Sequence, residues 1–182
     1  EFNGDGGAIR TGDTGYFYNS TFFGNSSNDD GGAIRSKGGE FVNLTFINNV
    51  ADEEGQAIFV ENIEEGPDAL LLGNLFASST DSTSHQAVSY DGAEIEDWGG
   101  NITTSVSEAS SSWMVNVNSR SATFSEFGFD AGSVNELEAD LNPTIENPNP
   151  LATIGEGSVA LDYVPQNEEA SWLFDIENDM DT

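Results

Sequence analysis

The sequence predicts an all-β chain wound as a parallel β-helix, and three observations predict it. One phrase recurs as Asp5-Gly6-Gly7-Ala8-Ile9-Arg10, Asp30-Gly31-Gly32-Ala33-Ile34-Arg35 and Glu54-Gly55-Gln56-Ala57-Ile58-Phe59, at offsets of 25 and 24 residues. A second phrase interleaves with it: Asn19-Ser20-Thr21-Phe22-Phe23-Gly24-Asn25 and Asn43-Leu44-Thr45-Phe46-Ile47-Asn48-Asn49 lie 24 apart. Two phrases sharing one period mark a solenoid of near-identical coils, here about 24–25 residues each. The apolar runs are also too short for helices. Tyr16-Phe17-Tyr18, Phe22-Phe23, Phe41-Val42, Phe46-Ile47 and Ile58-Phe59-Val60 are β-formers set between Gly, Asn, Asp and Ser clusters.

Taken in order, these runs give each coil two or three strands of about four to six residues. The later coils drift. Gln56-Ala57-Ile58 is echoed by Gln86-Ala87-Val88, 30 residues on. Asn43-Leu44-Thr45-Phe46 is echoed one residue shorter by Asn74-Leu75-Phe76, and loosely by Asn101-Ile102-Thr103. The longer spacing requires an insertion, placed at the acidic Glu61–Asp68 on the outside of the solenoid. Stacked coils pair as parallel strands about 4.8 Å apart, so equivalent residues form columns. Ala8, Ala33, Ala57 and Ala87 make one, Ile9, Ile34, Ile58 and Val88 the next, and Phe22, Phe46 and Phe76 a third. Neighbours in a regular strand alternate faces, so the Ala and Ile columns cannot both point inward if that strand is regular. The expected interior is Phe22, Leu44 and Phe46, with Ala8 and Ala33. Asn25 and Asn49 form a polar corner column, where Asn tolerates left-handed backbone and bonds to the Asn above it.

Residues 1–105 hold the regular coils, 106–165 irregular coils and the end of the helix, and 166–182 an acidic tail. In the aperiodic part, Trp113-Met114-Val115 and Ala122-Thr123-Phe124 read as two strands, and Ser133–Leu141 as a short helix with a Ser133–Glu136 capping box. The Pro-rich residues 142–165 have the character of a C-terminal cap, and Trp172-Leu173-Phe174 could cover that end or meet a neighbour. The chain opens inside a repeat unit and not on Met, which reads as a processed or partial stretch of a longer protein. Its N-terminal edge is therefore expected to meet other subunits or upstream chain.

Charge excludes some partners. Acidic residues outnumber basic ones 33 to 4, for a net charge of −29 at pH 7. Such a chain repels nucleic acid and anionic membrane surfaces. No run approaches the roughly 20 apolar residues of a membrane span, so no membrane insertion by these residues is expected. There is no Cys, hence no disulfide framework and no thiolate metal site.

The GGAI phrase paired with Phe-x-x-Asn (Phe22–Asn25 and Phe46–Asn49) resembles the repeats of chlamydial polymorphic outer-membrane proteins and their relatives. That resemblance implies a right-handed coil and a surface-protein passenger domain. Gly99-Gly100-Asn101-Ile102, Asn149-Pro150-Leu151 and Gly157-Ser158-Val159-Ala160-Leu161-Asp162 resemble the end of bacterial choice-of-anchor β-helix proteins. There this chain departs at Val159, Leu161 and Tyr163-Val164. The fold hosts adhesins, lyases and passive stalks alike, so it does not choose an activity.

Two functions follow as expectations. One is an extracellular or cell-surface structural or adhesive module without catalysis. The other is a polysaccharide-binding β-helix, or a lyase-like or hydrolase-like one. The second needs convergent carboxylates, one with a raised pKa, or carboxylate-held Ca²⁺ beside a basic residue. The best group is Asp5, Asp29, Asp30 and Glu54 beside the Arg10 and Arg35 column; a solvated corner explains the same residues. No cofactor is required. Ca²⁺ is the one the residue types suit, since Asn3-Gly4-Asp5-Gly6 and Asn28-Asp29-Asp30-Gly31 put oxygen ligands in short turns. A saline habitat, which favours abundant Asp and Glu over Lys on the surface, is the stronger explanation of the acidity. His85 is the sole His and lies in a polar stretch, which excludes a multi-His metal site. Sequons begin at Asn19, Asn25, Asn43 and Asn101, glycan sites if the protein is secreted by a glycosylating cell, with Asn25 the best placed, and otherwise plain repeat residues. Glycans are also the candidate partner of the second reading.

Overall fold

The computed structural model describes residues 4–61, 69–78, 86–104, 113–114 and 119–121. The insertion beyond Glu61, the polar stretch from residue 79 through His85, the helix at 133–141, the Pro-rich end and the tail lie outside these residues.

Fifteen short strands and no helix make up the described residues. The first coil holds β1 (Ile9–Arg10), β2 (Gly15–Tyr18), β3 (Thr21–Phe23) and β4 (Ser26–Ser27). The second holds β5 (Ile34–Ser36), β6 (Gly39–Val42), β7 (Thr45–Ile47) and β8 (Val50–Ala51). The third holds β9 (Ile58–Glu61), β10 (Ala69–Leu72) and β11 (Leu75–Ala77). The fourth holds β12 (Val88–Asp91), β13 (Ile95–Gly99) and β14 (Ile102–Thr103), and β15 (Arg120–Ser121) follows. Strands pair only with their counterparts in adjacent coils, always parallel, in sheets ordered β1-β5-β9-β12, β2-β6-β10-β13, β3-β7-β11-β14-β15 and β4-β8. The chain is a parallel β-solenoid. Trp113 and Met114 are not strand; Trp113 instead closes the core, edge-on to Phe76 at 6.4 Å.

The predicted columns are in register. Phe22 pairs with Phe46, and Phe46 with Phe76. Their rings stack at 5.1 Å in both steps, tilted by 12° and 7°. Phe17 stacks on Phe41 in the same way at 5.1 Å. The Ala and Ile columns are both buried in the second and third coils, at Ala33, Ile34, Ala57 and Ile58, while in the fourth Val88 is buried and Ala87 half-buried. The strand is not regular there. The amides of Ala33 and Ile34 both donate to the Ala57 carbonyl, at 3.0 and 2.9 Å, and the same doubling occurs at Ala8/Ile9 and Ala57/Ile58. Two donors on one acceptor make a bulge-like step, so adjacent side chains turn the same way. Ala8 departs from expectation: it is exposed, because it lies on the first coil's outer end.

Corners are set by residues at positive φ. Asn19 and Asn43 adopt φ near 50°, and Gly73 and Gly100 continue that column. Next to it runs a polar ladder in the core. The backbone amide and Nδ2 of Asn74 both donate to Asn101 Oδ1 at 3.0 Å, Asn74 Nδ2 donates to the Phe41 carbonyl at 2.8 Å, and the Leu44 amide donates to Asn74 Oδ1 at 3.0 Å. The expected Asn25–Asn49 ladder is also present: Asn25 Nδ2 donates to Asn49 Oδ1 at 2.9 Å. Asn74→Ala leaves the buried Leu44 amide and Phe41 carbonyl without partners and is expected to cost about 2–4 kcal/mol. Asn25→Ala, at a half-exposed corner, should cost about 1 kcal/mol. Urea unfolding of the two variants checks the order, and equal losses would contradict it.

Candidate functional site

The carboxylates and guanidiniums gather where each coil enters the first sheet. Gly6, Gly31 and Gly55, at φ of 69°, 67° and 66°, turn the chain sharply there. That turn folds Asp5 back toward Arg10, and stacking brings Arg35 in from the next coil. Arg10 Nη1 pairs with Asp5 Oδ2 at 2.6 Å. Arg35 Nη1 pairs with the other Asp5 oxygen and lies 3.4 Å from Asp30 Oδ2. Its Nε lies 3.7 Å from Glu61 Oε2, and its guanidinium sits 5.2 Å over the Phe59 ring. The result is a charge ladder in which an Arg binds the Asp of its own coil and of the coil before.

Asp29 stands beside this ladder. Its pKa is raised, chiefly by a hydrogen bond between its carboxyl and that of Asp5, then by desolvation and the negative charges of Asp5, Asp30 and Glu53. Carboxylate oxygens of Asp29, Asp30 and Glu53 all lie within 4.8 Å of one another. Glu54 is not in that group. Its backbone amide donates to Asp30 Oδ1 at 3.2 Å while its side chain is exposed. Of Asp5, Asp29, Asp30 and Glu54, the structure brings the first three together and replaces Glu54 with Glu53. Asp5 is enclosed and held by two guanidiniums. Glu53 and Glu61 were not legible as partners, because column reasoning gives register and not side-chain direction.

A proton or a divalent cation at this corner relieves like-charge repulsion. The sign follows from the raised Asp29 pKa. A carboxyl with a folded pKa above its unfolded value adds stability below the ordinary range near 3.8, and that stability is lost as pH rises through the folded value. Melting temperature is therefore expected to rise on mild acidification from neutral pH, and with added NaCl or Ca²⁺ at neutral pH. Asp29→Asn should raise the neutral-pH value and weaken its acid dependence. Melting curves indifferent to pH, salt and Ca²⁺ would contradict this.

A second polar pair lies on the next sheet. The Tyr18 hydroxyl donates to Glu40 Oε2. Burial, then that hydrogen bond and the Glu40 charge, push its pKa up to about 12 from 10.0. The contact contributes stability below pH 10.0 and loses it as pH passes about 12. Alkaline absorbance titration should show a tyrosine transition near 12 that Tyr18→Phe removes.

The sequons occupy different settings. Asn19 and Asn43 are exposed corners. Asn25 commits its Nδ2 to Asn49. Asn101 is fully buried, with Nδ2 donating to the Leu71 carbonyl at 3.0 Å and Asp97 Oδ1 at 2.8 Å, a packing with no room for a glycan.

The corner with Asp29 and Asp30, together with the Phe22–Asn25 and Gly31–Ile34 phrases, falls inside the segment that known proteins share. Residues 19–37 match the Chlamydia polymorphic membrane protein repeat. This repeat spans β3, β4 and β5 and the corner between them, so its two phrases are the Phe stack with its Asn ladder and the buried Ala-Ile step. Neither a curated protein nor a solved structure matches the chain.

Proposed function

We propose that the chain is a structural or adhesive module of a cell-surface, extracellular β-solenoid, and not an enzyme. The match of residues 19–37 to a membrane-protein repeat carries this reading. The charge ladder supports it. Asp5 and Asp30 are engaged by guanidiniums, which suits a stacking device better than a substrate cleft. Labelling intact cells of the source organism with a membrane-impermeant reagent tests localisation: the protein should be labelled and shaved by external protease. Protection until lysis would overturn it. Beads coated with the chain test adhesion, with Ca²⁺ and without.

The raised carboxyl of Asp29 against Asp5, beside Arg35, favours a second reading, a polysaccharide-binding or polysaccharide-cleaving module. On a panel of neutral and acidic polysaccharides it requires retention on a glycan, or new reducing ends or unsaturated products, lost in Asp29→Asn. In either reading Ca²⁺ would sit between Asp29, Asp30 and Glu53, and the melting response to Ca²⁺ described above bears on it.

A further inference from the structure

The outer face of the sheet β2-β6-β10-β13 sets aromatic rings beside carboxylates. Phe17, Phe41 and Leu71 of that sheet pack on the core. Neighbours in a strand alternate faces, so Tyr16 and Tyr18, Glu40, Leu70 and Glu96 point outward. Tyr16, Glu40, Leu70 and Glu96 form one row across the four coils. Tyr16 is 64% exposed and Tyr18 40%. Val42 and Leu72, the counterparts of Tyr18, are buried. What reaches solvent is therefore the Tyr16 row, with Tyr18 at one end and the half-buried Trp98 at the other.

Rings and carboxylates are coupled in pairs. The Tyr18 hydroxyl donates to Glu40 Oε2, and Trp98 Nε1 donates to Glu96 Oε2 at 2.8 Å. Each pair spends the one polar hydrogen of its aromatic side chain on a carboxylate. The face then offers π surface and the Oε1 atoms of Glu40 and Glu96. Among the described residues in these rows, the Tyr16 hydroxyl is the one side-chain donor not spent on a carboxylate. A sugar hydroxyl accepts as well as donates, and a face so poor in donors serves it badly. A guanidinium or ammonium only donates, and both ring faces and carboxylates attract it.

Charge says where such groups come from. The chain has four Lys and Arg against 33 acidic residues. Arg10 and Arg35 are held by Asp5. Lys37 precedes β6 and Arg120 lies in β15 of another sheet, so neither belongs to this face. A second copy would bring a net charge of −29 against the same charge and be repelled. Coils stacked before β2 or after β13 continue the sheet edge to edge and leave its outer face open.

We propose that this face docks an arginine-bearing basic segment of another protein. Guanidiniums would lie on the rings of Tyr16, Tyr18 and Trp98 and engage Glu40 and Glu96, which stand two coil steps, about 10 Å, apart. Arg suits the face better than Lys, because its planar head stacks on a ring while donating to a carboxylate. The inference goes beyond the surface-module reading and does not depend on it.

Calorimetric titration of the full chain with hexa-arginine amide tests it, in about 150 mM NaCl to damp long-range attraction. Saturable binding is expected, at least about threefold tighter than that of hexa-lysine amide. Tyr16→Ala, which leaves the net charge unchanged, and Glu96→Gln should each weaken binding by about threefold or more. Asp52→Asn removes an exposed carboxylate elsewhere and should leave binding nearly unchanged. Tyr16 and Glu96 are exposed, so both variants should stay folded, which circular dichroism checks. No saturable binding would overturn the proposal. So would hexa-lysine binding as tightly, equal losses from Glu96→Gln and Asp52→Asn, or no loss from Tyr16→Ala, each of which marks attraction by net charge alone. Retention of a neutral glycan that Tyr16→Ala abolishes, with no peptide captured, would overturn it too and make a glycan the occupant.

Discussion

Phe46→Ala is expected to destabilise the chain by about 3–5 kcal/mol, the range for deleting a large aromatic from a packed interior. Phe46 is 1% exposed and is stacked on both sides, at 5.1 Å to Phe22 and 5.1 Å to Phe76. Removing its ring forfeits the transfer term, both stacking contacts, and the support it gives each neighbour. The cavity would be bounded by backbone ladders that cannot close inward without shifting a whole coil. Phe22→Ala should cost about half as much, because Phe22 has one stacked neighbour among the described residues and is 9% exposed. Denaturant unfolding of both variants gives the comparison. A loss below about 1 kcal/mol for Phe46→Ala would mean that the ring column does not hold the coils together.

Gly32→Ala is expected to be at least as damaging, about 4 kcal/mol or more. The added Cβ would fall under 3.0 Å from the Gln56 carbonyl oxygen and from the backbone of Val50. These are main-chain atoms of adjoining segments, so nothing rotates aside. The coil must lift, breaking the Gly32 amide bond to the Gly55 carbonyl at 2.9 Å and its neighbours. Gly12→Ala is the control. Nothing lies within 4 Å of its Cβ position, and the change should stay within about 0.5 kcal/mol of neutral. If both glycines tolerate Ala equally, the close approach of the coils at this corner is not real.

The sequence made the fold legible because stacking turns a period into a column. Phe22, Phe46 and Phe76 could be placed from spacing alone, and so could the Asn25–Asn49 bond. Spacing failed where one residue was gained or lost at a corner. Asn74 reads as the counterpart of Asn43, yet Leu75 pairs with Thr45, so Asn74 stacks over Leu44 and points into the core. The left-handed corner position passes instead to Gly73. The Ala and Ile columns were undecidable from alternation, since the doubled hydrogen bond that turns both inward has no residue signature. The candidate site was half legible. Asp5, Asp30, Arg10 and Arg35 were visible as columns, but their pairing across coils depends on where a positive-φ glycine aims the chain. Glu53 and Glu54 are neighbours on a bend, and only the fold says which carboxylate faces Asp29.

The described backbone hydrogen bonds outside the strands, like the strand ladders, run mostly from one coil to the next. That gives the structure a mechanical grain. A force applied through the two ends of the chain would load the bonds of one coil before those of the next, so the solenoid would yield by peeling and not by a single rupture. Each coil of about 24 residues would release about 80 Å of extended chain. A tether built this way lengthens under load while its remaining coils stay intact, and it limits the tension passed to whatever it holds.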